Sequence, residues 1–155
     1  MADTVRQDIM EALDTALKTI TKANGYKSNV GNSVFEWQPF PIDDEDMPTL
    51  IYKDLEDDIE VVHNYALHQL TIEIFFSSAG ETSPKITREI ISDVNKCIFA
   101  QKVAATDNYF TSGLVLDIIP VSSSLDSEQA DKKLIGATMM FNFFYLTPKI
   151  NSFLA

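Results

Sequence analysis

The hydrophobic positions near the start of the chain follow a helical period. Between residues 5 and 23 apolar side chains recur every three or four positions, which predicts an amphipathic helix with one buried stripe. Thr4 and Gln7 have the spacing of a capping box at its start, with Asp3 as the competing cap, and Asn24-Gly25 is a left-handed stop signal at its end. The predicted buried stripe consists of Val5, Ile9, Leu13, Ala16, Leu17 and Ile20.

A second helical stripe lies in the middle of the chain. Ser83-Pro84 combines a capping residue with a proline in the first turn, so we expect a helix to begin there and to run to about Gln101. Cys97, the one cysteine of the chain, falls on the apolar stripe, which indicates a small buried residue and not a reactive thiol. The stripe also contains Ile86, Ile90, Val94 and Ile98.

Three predicted strands lie between the two helices. Residues 34–37 and 49–52 are short strand candidates, and prolines end the first of them because they remove ladder donors. A longer strand lies within 63–77, where apolar and polar positions alternate in a pattern typical of a sheet that is packed on one side. Its predicted buried face is Leu70, Ile72, Ile74 and Phe76, and its other face is Gln69, Thr71, Glu73 and Phe75.

Two further strands close the chain. Residues 114–121 predict a strand in which Pro120 indicates an edge position or a bulge, and 122–133 forms a polar loop in this interpretation. The last strand, 135–147, has one face that is wholly apolar or aromatic and another that is mixed. We therefore expect it to be central in the sheet, or covered on its mixed face by a neighbouring molecule.

The order of elements is helix, strand, strand, strand, helix, strand, strand. It predicts an α+β fold with a mixed, mostly antiparallel sheet and both helices packed on one of its faces. At 155 residues the chain is most simply a single domain, 1–155, with a short C-terminal tail at 148–155.

The overall composition is that of an acidic globular protein. The chain is 45% hydrophobic and its formal net charge is -11, which argues against a nucleic-acid-binding surface and against docking on anionic lipid. The longest apolar-rich stretch, 135–146, falls far short of the ~20 residues of a membrane helix, so we expect no membrane partner. The start of the chain lacks the pattern of a signal peptide, and a reducing cytoplasm is the expected compartment of assembly.

Two acidic runs stand out, one at 43–46 and one within 54–60, and both are predicted to be exposed loops. The first lacks the Asp-x-Asp-x-Asp-Gly spacing of a calcium loop, so we predict no metal site there. A further interpretation is an electrostatic lining that repels DNA phosphate. The carboxylates concerned are Asp43, Asp44, Glu45, Asp46, Asp54, Glu56, Asp57, Asp58 and Glu60.

Residue types typical of catalysis are not arranged as a site in the sequence. His63 and His68 are five positions apart, which places them on opposite faces of a strand, so we expect ordinary edge or surface histidines. No serine lies in a Gly-x-Ser-x-Gly elbow, and five scattered glycines form no phosphate cradle. We predict no catalytic residues, no cofactor and no enzyme activity; a metal-dependent activity abolished by Asp43→Ala would revive the enzyme alternative.

Aromatic and apolar residues outside the predicted core are candidates for contacts with other molecules. Trp37 is either an interface anchor or a core residue packed on a helix, and the core interpretation is favoured. The candidate subunit or partner interface consists of Trp37, Phe75, Phe144, Leu146, Phe153 and Leu154.

In the order and pattern of these elements the chain resembles the tail terminator (tail-completion) proteins of long-tailed bacteriophages. Four stretches, which together span most of the chain, carry the resemblance. They are the opening helix at 5–13, Trp37 followed by Met47-Pro48-Thr49-Leu50-Ile51-Tyr52 and acidic residues, the strand at 68–74 that leads into the second helix, and the closing strand at 131–145 with Phe141-Asn142-Phe143-Phe144-Tyr145.

The resemblance implies a small α/β subunit that forms a ring, usually hexameric, on the end of the tail tube. Such a protein is a structural component of the virion, and its partners are further copies of itself, the tail tube protein and the head connector or neck protein. DNA would pass through the lumen without specific binding, and we expect one of the acidic runs to face the lumen or the rim of the ring. The resemblance implies no catalytic residues.

Two alternatives stay open. One is a neck or head-completion protein, which bridges the portal and the tail. The other is an acidic DNA-mimic inhibitor, which needs carboxylates spaced like phosphates across an exposed face, whereas many of the carboxylates here cluster in two runs.

Overall fold

The computed structural model describes residues 4–37, 49–78, 84–110, 113–126 and 135–148. Within these ranges the chain forms two α-helices and a five-stranded sheet, which confirms the predicted α+β fold. The elements are α1 (Val5–Leu17), β1 (Val34–Glu36), β2 (Thr49–Val62), β3 (Tyr65–Ser78), α2 (Pro84–Phe99), β4 (Asp117–Asp126) and β5 (Ile135–Pro148), with short 3₁₀ turns at Lys22–Asn24 and Val30–Asn32.

The sheet has the order β1-β2-β3-β5-β4, and all its neighbouring strands are antiparallel except the pair β1 and β2. β5 lies between β3 and β4, so the prediction of a central closing strand is confirmed. β4 is an edge strand, and its register shifts between Pro120 and Ser122, as the proline indicated. β4 nevertheless begins later than predicted, at Asp117. It also ends later, because three serines at 122–124 continue its ladder with β5.

The first helix begins as predicted and ends earlier. Thr4 caps it, since its hydroxyl accepts a 3.1 Å hydrogen bond from the Gln7 backbone N–H. The helix ends at Leu17 and not near residue 23, because the Thr19 hydroxyl donates a 2.6 Å hydrogen bond to the carbonyl oxygen of Ala16. Gly25, at φ 89°, closes the short 3₁₀ turn that follows.

The largest difference from the sequence prediction is in the second acidic run. Residues 54–60 were expected to form an exposed loop, but they belong to β2, which pairs with β3 as far as a tight turn at His63-Asn64. A bulge between Asp54 and Asp57 breaks the alternation that would have indicated a strand. The antiparallel ladder with β3 outweighs the low strand propensity of the acidic residues.

The core lies between the sheet and the two helices, all on one face of the sheet. The predicted buried face of β3 is confirmed, and its residues pack with the stripes of both helices and with the buried face of β5. Cys97 is buried in this core. Of the helices that the structure describes, none combines the length and the apolarity that a membrane crossing requires.

Candidate functional site

A polar network lies on the helix-covered face of the sheet. At its centre the Asp57 carboxylate accepts a 2.9 Å hydrogen bond from the Tyr145 hydroxyl and lies 3.0 Å from His68 Nδ1. Arg6, in the first turn of α1, places Nη1 3.8 Å from the same carboxylate. Residues from α1, β2, β3 and β5 thus meet around one carboxylate, which ties the start of the helix to the hairpin.

Asp54 extends this network toward the sheet edge. Its carboxylate accepts a 2.6 Å hydrogen bond from Arg6 Nε and a 2.9 Å bond from Trp37 Nε1. Burial raises the pKa of this carboxyl, but the bonds from Trp37 and Arg6 and the guanidinium charge outweigh burial, so the pKa lies below its usual value. Asp54 is therefore held in its charged form by the two side chains that approach it.

His68 is fully buried, so its prediction as an edge or surface histidine was wrong. Its Nε2 lies 2.8 Å from the Thr147 hydroxyl, and its ring stacks on Tyr145 with centroids 4.3 Å apart. Because an ionised carboxylate only accepts hydrogen bonds, the short contact with Asp57 assigns to His68 the tautomer in which Nδ1 is the donor. The burial comes from partners that are distant in sequence; His63, by contrast, is exposed at the hairpin turn.

The Tyr145 hydroxyl completes the network. Burial, together with its hydrogen bond to the Asp57 carboxylate, raises the pKa of Tyr145 well above its ordinary value. Across the residues that the structure describes, every buried side-chain nitrogen or oxygen has a hydrogen-bond partner. Such saturation is typical of a network that fixes the position of structural elements.

No group of three or more histidine, cysteine or acidic residues within the described ranges could hold a metal ion.

The other face of the sheet has no helix on it in the described part of the chain. Phe144 and Leu146, both predicted interface residues, point to this open face, next to Leu67 and Tyr65 on the neighbouring strand. Tyr65 is 52% exposed and Leu146 is 42% exposed. These four residues, which we name the open-face patch, form a contiguous apolar area toward the end of the hairpin.

Carboxylates frame the open-face patch. Asp58 and Asp117 lie in one row with Gln69 and Phe144, each on a neighbouring strand, and Glu60 lies beside Leu67. All three carboxylates belong to exposed residues. An apolar area with an acidic rim is a surface that suits a partner with apolar and basic side chains.

The remaining predicted interface residues lie elsewhere. Trp37 is 53% exposed at φ 51°, and Lys53 Nζ lies 5.6 Å from the centre of its ring, so the favoured core interpretation of Trp37 was wrong. Phe75 is half-buried at the other end of the open face, where its ring is close to Gly136. Phe153, Leu154 and the acidic run Asp43, Asp44, Glu45 and Asp46 lie outside the described residues.

The second acidic run divides into two groups. Asp54 and Asp57 turn inward to the polar network, and Glu56, Asp58 and Glu60 are exposed.

Tyr65 and Leu67 were not among the surface candidates predicted from the sequence. The alternation of β3, continued by two steps toward its start, places both on the open face.

Comparison with known proteins identifies the fold alone. No protein-family model matches the chain, and no curated protein matches it. Among solved structures, the chain is similar to a chain from the virion of a native gene transfer agent (GTA) particle, with a TM-score of 0.52 and 12% sequence identity. The match covers 89% of this chain and 97% of that chain, so the likeness extends over nearly the whole of both molecules.

Proposed function

We propose that this protein is a structural component of a phage-type virion, and specifically a tail terminator that forms a ring on the tail tube. The observation that carries the proposal is the likeness of the fold, over 89% of the chain, to a chain of a gene transfer agent virion. In this role the ring, a hexamer in the proposal, caps the tube and offers a joining surface to the head connector.

The uncovered face of the sheet supports an assembly role. β3 and β5 bury their covered face under the two helices, whereas the open-face patch leaves Tyr65 and Leu146 about half exposed. A contiguous apolar area on a surface is a common mark of a protein–protein contact. The partners in this proposal are other copies of the chain, the tail tube protein and the head connector.

The acidic surface fits the passage of DNA. With a net charge of -11, a ring of this chain would repel phosphate groups and would let DNA slide without specific binding. The acidic run at 43–46 and the exposed carboxylates of Glu56 and Glu60 are the groups that we place at the lumen or the rim.

The fold likeness is equally compatible with a tail terminator and with a neck or head-completion protein, and the partner that the protein binds distinguishes these two functions. A DNA-mimic inhibitor is less well supported, because Asp54 and Asp57 are engaged inside the molecule and leave fewer carboxylates for a phosphate-like surface.

Growth of the tail tube in the presence of this protein tests the proposal. The cognate tube protein is polymerised with and without the chain, and tube lengths and ends are measured in negative-stain images. A terminator gives a ring on one end and shorter tubes that no longer grow. Rings that bind the connector and ignore bare tube ends would indicate the neck protein, and binding to neither would contradict both assignments.

A further inference from the structure

We propose that successive copies of this chain associate front to back, with α2 of one copy lying across the open-face patch of the next. The contact would deepen the proposed function by naming the surfaces that build the ring, and it rests on that function only for the closure of the ring. The two surfaces lie on opposite sides of one molecule, since α2 packs on the covered face of the sheet.

The outward side of α2 is basic. Lys85, Arg88 and Lys96 are exposed there, with Glu89 as the one partly exposed carboxylate of the helix. Lys85 lies 4.0 Å from Glu89, whereas Lys96 contacts the neutral carbonyl of Gly25 and the ring of Tyr26. The charge of Lys96 is thus not compensated by its neighbours.

The outward side of α2 also carries apolar area. Phe99, at the C-terminal end of the helix, is 36% exposed. A basic surface with an apolar side chain at one end complements an apolar patch with an acidic rim.

The dimensions of the two surfaces agree. Asp58 and Asp117 lie in one row on strands that are three spacings apart, which amounts to about 14 Å. Arg88 and Lys96 are eight positions apart on a helix, which amounts to about 12 Å. A helix laid across the strands therefore brings one cation to each carboxylate, with Phe144 between them.

Charge also selects this contact over a symmetric one. The cation of the open face in the described residues is Lys53, and it is paired with Glu73 at 3.4 Å. A contact of patch with patch would place Asp58 and Asp117 of two copies against each other, and a contact of α2 with α2 would oppose cations. Opposite charges meet only in a front-to-back arrangement, which generates rings when the rotation closes.

This arrangement places Asp58 in a contact between copies, and not at the lumen or the rim that was expected for the acidic run. Asp58 and Asp117 lie within the contact between copies, and Glu56 and Glu60 remain available to the rim or the lumen.

Reversal of charge on one surface at a time tests the contact. One variant carries Asp58→Lys and Asp117→Lys, and the other carries Arg88→Glu and Lys96→Glu. We expect each alone to show about a 100-fold or larger rise in the dissociation constant of self-association, since like charges then face each other. An equimolar mixture of the two should assemble again. The open face of the first variant, now basic, fits the α2 of the second, now acidic, and the basic α2 of the first fits the acidic open face of the second.

The measurement is the mass of the species across a concentration series at low and high salt, with images of the largest species. Controls of equal charge change are Glu11→Lys with Glu36→Lys, and Lys18→Glu with Lys22→Glu, all at exposed positions outside the two surfaces. We expect these controls to assemble like the unaltered chain, and circular dichroism verifies the fold of every variant.

Three outcomes would overturn the front-to-back contact. They are assembly of each reversed variant alone, a mixture no larger than its components, and monomers in every sample including the mixture. Failure of the proposed function would be distinguishable from failure of the contact. Rings that respond to the charge reversals as expected, but neither cap a tube nor bind a connector, would support the contact and contradict the tail terminator function.

Discussion

The covered face and the open face of the sheet are built from alternate residues of the same strands. On β5 the side chains of Phe141 and Phe143 are buried under the helices, whereas Phe144 is half-buried and Leu146 is 42% exposed. Neighbouring residues of similar chemistry thus have different environments. The covered face therefore supplies the stability of the subunit, and the open face is available for contacts between molecules.

The largest expected effect contrasts two phenylalanines of β5. Phe141→Ala removes a ring that is 1% exposed in the core, and it should lower the free energy of unfolding by about 3–5 kcal/mol. Phe144→Ala on the open face should cost about 1 kcal/mol, because solvent already reaches that ring. Denaturant unfolding of both variants measures the contrast, and equal losses would break the distinction between the faces.

The next effect concerns the polar end of the covered face. Asp57→Ala leaves the Tyr145 hydroxyl and His68 Nδ1 without their shared acceptor, and we expect a loss of about 2–4 kcal/mol in the free energy of unfolding. Asp58→Ala is the matched control, since the adjacent exposed carboxylate points to the open face and should change stability by less than about 0.5 kcal/mol. The two losses measured by urea unfolding should differ clearly; a similar value for both would show that the network adds little to stability.

Sequence patterns predicted the elements whose signals are local. The stripes of α1 and α2, the alternation of β3 and the disturbance at Pro120 each depend on residues within one element, and the structure confirms them except at Ile86, which is 41% exposed and does not belong to the buried stripe of α2. The early end of α1 was not predicted, because it depends on a bond between the Thr19 hydroxyl and a carbonyl of the preceding turn.

The polar network could not be predicted because its contacts are distant in sequence. His68 meets Thr147 across 79 positions, and Arg6 meets Asp54 across 48. The strand that carries Asp54 and Asp57 was also missed, since a bulge and a high acidic content hide its alternation. Of the interface candidates, Phe144 and Leu146 fall together on the open-face patch, which follows from their positions two apart on one strand.

A smaller effect should depend on pH. The pKa of Asp54 is lowered in the folded chain, so on acidification the unfolded chain takes up this proton first. The contribution of Asp54 is therefore complete above its ordinary pKa of 3.8 and is lost as the pH falls through the lower folded value. Asp54→Asn should cost about 1–2 kcal/mol at neutral pH, and the difference from the unaltered chain should shrink in acid.

Unfolding curves over a pH series measure that change, with Glu56→Gln as the exposed control. A gap between Asp54→Asn and the unaltered chain that stays constant into acid would show that the Arg6 and Trp37 contacts do not depend on the carboxylate charge.

The smallest effect on stability is expected on the open face itself. Leu146→Ser removes an apolar side chain that is already 42% exposed, and it should change the free energy of unfolding by less than about 1 kcal/mol. Self-association should nevertheless weaken by about tenfold, because Leu146 lies beside Leu67 in the open-face patch. Val61→Ser is the matched control: Val61 is 58% exposed but lies on the other face, and its substitution should leave association unchanged. Sedimentation of both variants separates the faces by function, and weakening by Val61→Ser alone would move the contact to the covered side of the hairpin.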